Sequence, residues 1–138
     1  MKDPSFVLRK AYKQAIASSG VVLNVFDGQS DSTEGNYIIL NVQEVSFQGT
    51  KDTDTPKAKV SIDIVTRFQN NRGSSKVSDD IANLILNYCT PSAGVLNVSI
   101  DNFNISTFEV SIRTIEGQFG SERIIRKIIT IDHELYEN

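Results

Sequence analysis

Val21-Val22-Leu23-Asn24-Val25-Phe26-Asp27-Gly28, then Tyr37-Ile38-Ile39-Leu40, then Val60-Ser61-Ile62-Asp63-Ile64-Val65, closed by Asn70-Asn71-Arg72-Gly73 and a helix from Ser75: this stretch decides the fold. From Lys59 to Phe68 the alternation is the cleanest in the chain. Val60, Ile62, Ile64, Thr66 and Phe68 share one face, and Ser61, Asp63 and Arg67 share the other. Such a strand is expected to bury one side and wet the other, as antiparallel sheets do. Tyr37 to Phe47 reads as a second strand, with Ile38, Leu40 and Val42 on one side. Two polar connections separate these strands. Asp27 to Asn36 carries Gly28, Ser30, Asp31, Ser32, Glu34 and Gly35 and reads as an exposed loop. Gly49 to Lys57 carries Lys51, Asp52, Asp54 and Pro56 and reads as a solvated hairpin tip.

Outward from this centre, two segments have helical spacing. Asp3-Pro4 supplies a capping carboxylate and a proline suited to the first turn. Leu8, Ala11, Tyr12, Ala15 and Ile16 then form one stripe, which Ser18-Ser19-Gly20 terminates. In Ser75 to Tyr88 the stripe is Val77, Ile81, Leu84, Ile85 and Tyr88, and Thr90-Pro91 stops the helix. The last third reads as strand. Val95 to Ile100 is extended, and Phe108, Val110 and Ile112 alternate with Glu109, Ser111 and Arg113. Gly117 to Ser121 turns the chain, Ile124 to Ile131 is β-branched, and His133 to Asn138 is expected to fray. The expected fold is α+β: a mostly antiparallel β-sheet or sandwich with two helices packed on one face, residues 1–138 forming a single domain.

The composition excludes several roles. With 14 Lys and Arg against 17 Asp and Glu, net charge is -3, a poor balance for wrapping nucleic acid. The densest basic group is Arg123, Arg126 and Lys127. The 138 residues suffice for a core without disulfides or metals. Cys89, the one cysteine, has no internal partner and reads as a small apolar residue near a helix end. The N-terminus lacks a signal-peptide core, and no apolar run reaches the roughly 18–20 residues that span a bilayer, so a soluble protein made in a reducing cytoplasm is expected.

Catalytic signatures are missing as well. A serine or cysteine hydrolase needs a base beside its nucleophile. The single histidine, His133, sits near the C-terminus and reads as a surface group. There is no HExxH, EF-hand loop, cysteine cluster, GxxxxGK[ST] or GxGxxG. Gly117-Gln118-Phe119-Gly120 lacks a basic flank and reads as a hairpin turn. Asp52 with Asp54 lies in a loop, and Asp79 with Asp80 lies in a helical first turn, where acids favour the dipole without catalysis. No enzyme activity, cofactor or metal is expected.

The order of these elements resembles the tail-terminator and tail-completion (head–tail joining) proteins of bacteriophages. A short N-terminal helix precedes Val25-Phe26-Asp27-Gly28, a loop, and Tyr37-Ile38-Ile39-Leu40, similar to the family's aromatic-Asp-Gly turn and Tyr-Val-Val-Leu type of strand. A long hairpin, the strand Val60 to Val65, an Asn/Gly break and the helix Val77 to Ile85 follow. The resemblance covers most of the chain. The loop Asp27 to Asn36 departs from it, lacking the prolines common there in the family. The resemblance implies a virion structural protein, assembled in the host bacterial cytoplasm. It implies a ring of six or twelve copies at the neck or the end of the tail tube, touching portal, connector or tail proteins. DNA would pass only as cargo through an axial channel, and no membrane is involved. Asp27, Gly28, Asp31, Glu34, Lys51, Asp52, Asp54, Lys57, Arg72 and Phe119 are the expected subunit or ring–ring contacts. The competing reading is a small-ligand or peptide-binding α+β module, which needs an apolar pocket with a few polar anchors.

Overall fold

The computed structural model describes residues 3–27, 35–49, 54–69, 75–89 and 103–137. Helix α1 (Ser5–Ser18) leads into strands β1 (Asn24–Asp27), β2 (Tyr37–Gly49) and β3 (Asp54–Gln69). Helix α2 (Lys76–Cys89) follows, then β4 (Phe103–Phe119) and β5 (Glu122–Glu137). The strands form one sheet in the order β1-β2-β3-β5-β4. β1 runs parallel to β2, and the remaining pairs are antiparallel. The α+β expectation holds, as a single mixed sheet with both helices on one face.

Helix α1 forms where its sequence signals it. The Asp3 carboxylate accepts bonds from the Ser5 amide at 2.9 Å and the Ser5 hydroxyl at 2.5 Å. These bonds, the hydroxyl's first, hold its pKa below the usual carboxylate value. At the other end the Ser19 hydroxyl donates to the Ile16 carbonyl at 2.6 Å. Gly20 then reverses the chain at φ 91°, a left-handed conformation that glycine adopts without strain. All five residues of the expected stripe, Leu8, Ala11, Tyr12, Ala15 and Ile16, are buried.

The sheet presents Ile38 and Leu40 of β2, Ala58, Val60, Ile62 and Ile64 of β3, and Ile129, Ile131 and Leu135 of β5 to the helices. Each of these valine, leucine and isoleucine side chains, fully withdrawn from water, stabilises the fold by about 1.5–3 kcal/mol before entropy is counted.

Helix α2 differs from its reading. The buried line is Ser78, Ala82, Ile85 and Cys89, while Val77, Leu84 and Tyr88 are 38–43% exposed. Two ridges compete on this helix, a quarter-turn apart. The one with smaller side chains lies on the sheet, where small residues let backbones approach closely.

Other boundaries also move. β2 and β3 pair as far as Gly49 and Asp54, so the hairpin is longer and its tip shorter than expected, and Lys57 sits inside β3. β4 and β5 pair as far as Phe119 and Glu122, leaving only Gly120 and Ser121 to turn, with Gly120 at φ 62°. β5 runs to Glu137 instead of fraying at His133. The expected extended segment Val95 to Ile100 lies outside the described residues.

Candidate interaction surfaces

Beyond the helix-covered face, the sheet has a second, open face on which none of the described helices packs. Here β3 departs from simple alternation, because Ser61, Asp63 and Val65 are buried although no helix covers them. Larger side chains lie beside them on the adjacent strands. Ile39 lies beside Asp63 on β2, Ile128 lies beside it on β5, and Arg126 lies beside Val65. The Arg126 guanidinium folds onto the Asp63 carboxylate, its Nε at 3.2 Å from Oδ2. The second carboxylate oxygen, Oδ1, is buried and has no hydrogen-bond partner among the described residues.

Toward one end of this face the register lines up a charged row across four strands. Glu44 of β2 faces Lys59 of β3, Lys59 faces Asp132 of β5, and Asp132 faces Glu109 of β4. With Ser46, Lys57 and Glu134 these residues wall a depression of about 470 Å³. Lys59 Nζ is 3.9 Å from Asp132 Oδ1, an exposed pair of small energetic weight. A second depression, of about 420 Å³, lies between α1 and the end of β1, walled by Phe6, Arg9, Lys10, Lys13, Gln14 and Asp27.

The basic group Arg123, Arg126 and Lys127 is not a patch. Arg126 points to the open face, and Arg123 and Lys127 belong to the opposite parity of β5. Each is paired: Arg123 with Glu116 at 2.9 Å, Arg126 with Asp63, and Lys127 with Asp79 of α2. Phosphate binding would have to break these pairs.

His133 is buried, at 2% exposure, and not on the surface as its sequence position suggests. Its Nδ1 lies 3.1 Å from the Ala58 carbonyl, which can only accept, so Nδ1 carries the proton. Nε2 is then an acceptor, and the Tyr12 hydroxyl donates to it. The rings meet edge to face at 5.5 Å between centroids. Burial pushes the His133 pKa below its ordinary value, against a smaller opposing pull from the Ala58 bond and Asp132. Cys89 is also buried, and burial pushes its thiol up to about 12. The sole histidine is thus committed to a structural bond, and the sole thiol is held protonated.

Of the expected contact residues, Asp27 ends β1 and is exposed, and Lys57 is exposed within β3. They wall different depressions and do not form one patch. Asp54 opens β3 opposite Gly49, and Phe119 closes β4 opposite Glu122. Gly28, Asp31, Glu34, Lys51, Asp52 and Arg72 lie outside the described residues. The sequence reading missed the charged row, which becomes visible only once strand order brings Glu44, Lys59, Asp132 and Glu109 together. It also missed the exposed apolar side chains on the edges, among them Phe108 and Ile112 of β4.

Scanned against protein-family models and against curated proteins, the sequence matches none. Among solved structures, the chain is similar to a chain of the virion of a native gene transfer agent (GTA) particle. The superposition covers 94% of this chain and 95% of that one, with a TM-score of 0.60 and 12% sequence identity. At that identity the likeness is one of fold, and it extends over nearly the whole of both chains.

Proposed function

We propose that this chain is a virion structural protein that assembles as a ring of six or twelve copies. The ring stands at the head–tail junction or the end of the tail tube and joins virion parts around an axial DNA channel. The observation that carries this reading is the end-to-end likeness in fold to a chain of a gene transfer agent virion. The order of helix, strands and loops, similar to the tail-terminator and tail-completion proteins, supports it independently. So does the surface. On the edge strand β4, Phe108 and Ile112 are exposed and available to a neighbouring copy. The partners are copies of itself and neighbouring portal, connector or tail proteins, and the role is not enzymatic. The acidic balance suits a lumen along which DNA slides without sticking.

Light scattering of the purified protein, followed by negative-stain imaging, tests the reading. A closed ring of six or twelve copies is expected. A stable monomer at high concentration, which also fails to join purified tail or portal rings, refutes it. The depression of about 470 Å³ on the open face favours a second reading, a small-ligand or peptide-binding module. A ligand-dependent rise in melting temperature across a metabolite and peptide panel would support that alternative.

A further inference from the structure

β4 is the last strand of the sheet and runs for 17 residues with no strand on its outer side among the described residues. Such an edge offers a row of unpaired backbone donors and acceptors to another strand. Phe103–Phe119 holds no proline and no lysine, and its one irregularity, between Ile105 and Thr107, lies near one end and leaves the stretch from Thr107 onward regular. Phe108 and Ile112 on its helix-side parity are 38% and 47% exposed. On the open-face parity Glu109, Ser111 and Arg113 are exposed, and neither Glu109 nor Arg113 is ion-paired within the described residues.

We infer that this edge pairs antiparallel with the same edge of a second copy, in the register that sets Ser111 opposite Ser111. The charge pattern selects that register. A two-fold axis normal to the sheet keeps the faces matched, so only residues of like parity meet. Centred on Ser111, Glu109 of each copy faces Arg113 of the other, twice over, and Val110 faces Ile112. Centred on Glu109 or on Arg113, like charges meet. Centred on Val110 or Ile112, both charges face uncharged residues. Among the described residues Glu109 and Arg113 are the only opposite charges on that parity of the strand, so no other register joins them. Cross-strand pairs of opposite charge and of apolar side chains both stabilise such a ladder, and like charges weaken it. A two-fold contact cannot join neighbours around a single cyclic ring. The pair is therefore a state of the free chain that covers its adhesive edge before assembly, and it stands apart from the ring proposal.

Sedimentation equilibrium on the full chain, with Ser111→Cys and charge-reversal variants, tests this. Opposed Cβ atoms at Ser111 would lie about 4.5–5.5 Å apart, so S111C should oxidise to a covalent dimer. Cysteines at Glu109 would be displaced by four residues, about 13 Å, so E109C should not. Glu109→Arg and Arg113→Glu should each raise the dimer dissociation constant by on the order of tenfold or more, and the double reversal should restore it. Far-UV circular dichroism confirms that these surface variants fold. A wild-type chain that stays monomeric at all concentrations overturns the inference. So does reversal without effect, or equal cross-linking of S111C and E109C. Failure of S111C to cross-link in the unassembled chain overturns it too, while leaving the ring proposal standing.

Discussion

Replacing Tyr12 with phenylalanine removes one oxygen and leaves the ring in place. In the native protein that hydroxyl donates to Nε2 of His133, inside a layer where both residues are sealed from water. The variant leaves Nε2 as a buried acceptor with no donor, because Nδ1 is occupied by the Ala58 carbonyl. An orphaned buried acceptor costs about 1–3 kcal/mol. Unfolding entropy near the melting point is about 2.1 cal/mol/K per residue. Over 138 residues, 1 kcal/mol then corresponds to about 3–4 °C. Tyr12→Phe should therefore melt about 3–10 °C below wild type. The pH dependence gives a second readout. His133 has a folded pKa below its unfolded value, so the unfolded chain binds more protons. Stability rises with pH in that case. It is complete above the unfolded pKa of about 6.5 and declines as pH falls from there toward the folded pKa. His133 is the only histidine, so its imidazole signals in a carbon-proton correlation spectrum need no assignment. They should titrate below 6.5 with Nδ1 protonated in the neutral form. In Tyr12→Phe the titration should move up, because the bond favouring the neutral ring is gone. An unchanged melting temperature together with an imidazole titrating at the ordinary value would refute this account of the core.

Arg126→Met should destabilise by roughly 2 kcal/mol in thermal melts, less than for a fully buried pair because the guanidinium side chain is 45% exposed. Asp63→Asn combined with Arg126→Met should recover part of that loss, since the buried charge is then removed as well. Cys89 should resist iodoacetamide at pH 8 in the native protein and react promptly in denaturant, because the thiol is buried and held protonated.

The elements differ in how far their residues announced them. α1 was legible in full, since one apolar stripe stands against Arg9, Lys10, Lys13 and Gln14, and the sheet offers it no rival face. α2 was legible as a helix but not in its rotation. Of the expected stripe, Ile85 is buried and Ile81 packs against the core, but Val77, Leu84 and Tyr88 stay exposed while the smaller Ser78, Ala82 and Cys89 lie buried instead. Burial of His133 could have been found by parity. Ile125, Ile129, Ile131 and Leu135 all face inward, and His133 shares their spacing. Its polarity and closeness to the chain end argued the other way, and only the facing hydroxyl of Tyr12, 121 residues distant, makes its burial affordable. The parallel pairing of β1 with β2 had no local signal, because four residues fix neither direction nor partner. The surface was the least legible level. The charged row depends on β5 inserting between β3 and β4, a crossover the sequence pattern does not specify.

That crossover also separates what holds the fold from what remains for assembly. With β5 central and β4 outermost, the longest hairpin in the sheet projects one strand into the interior and leaves the other as an edge. The inner strand carries the buried ladder Ile125, Ile129, Ile131, His133 and Leu135, and ion pairs to other elements, among them Arg126 with Asp63 and Lys127 with Asp79. The outer strand carries Glu109, Ile112 and Arg113 with no role in that network. Substitutions on β4's exposed positions should then change association without changing melting temperature, while those on β5 should do the reverse. The short β1 at the opposite edge offers only four residues, so an asymmetric join between the two edges would pair β4 along a fraction of its length. Among the described residues no other free sheet edge matches the full length of β4 except β4 itself, which is the geometric reason to look for a two-fold pair in the free chain.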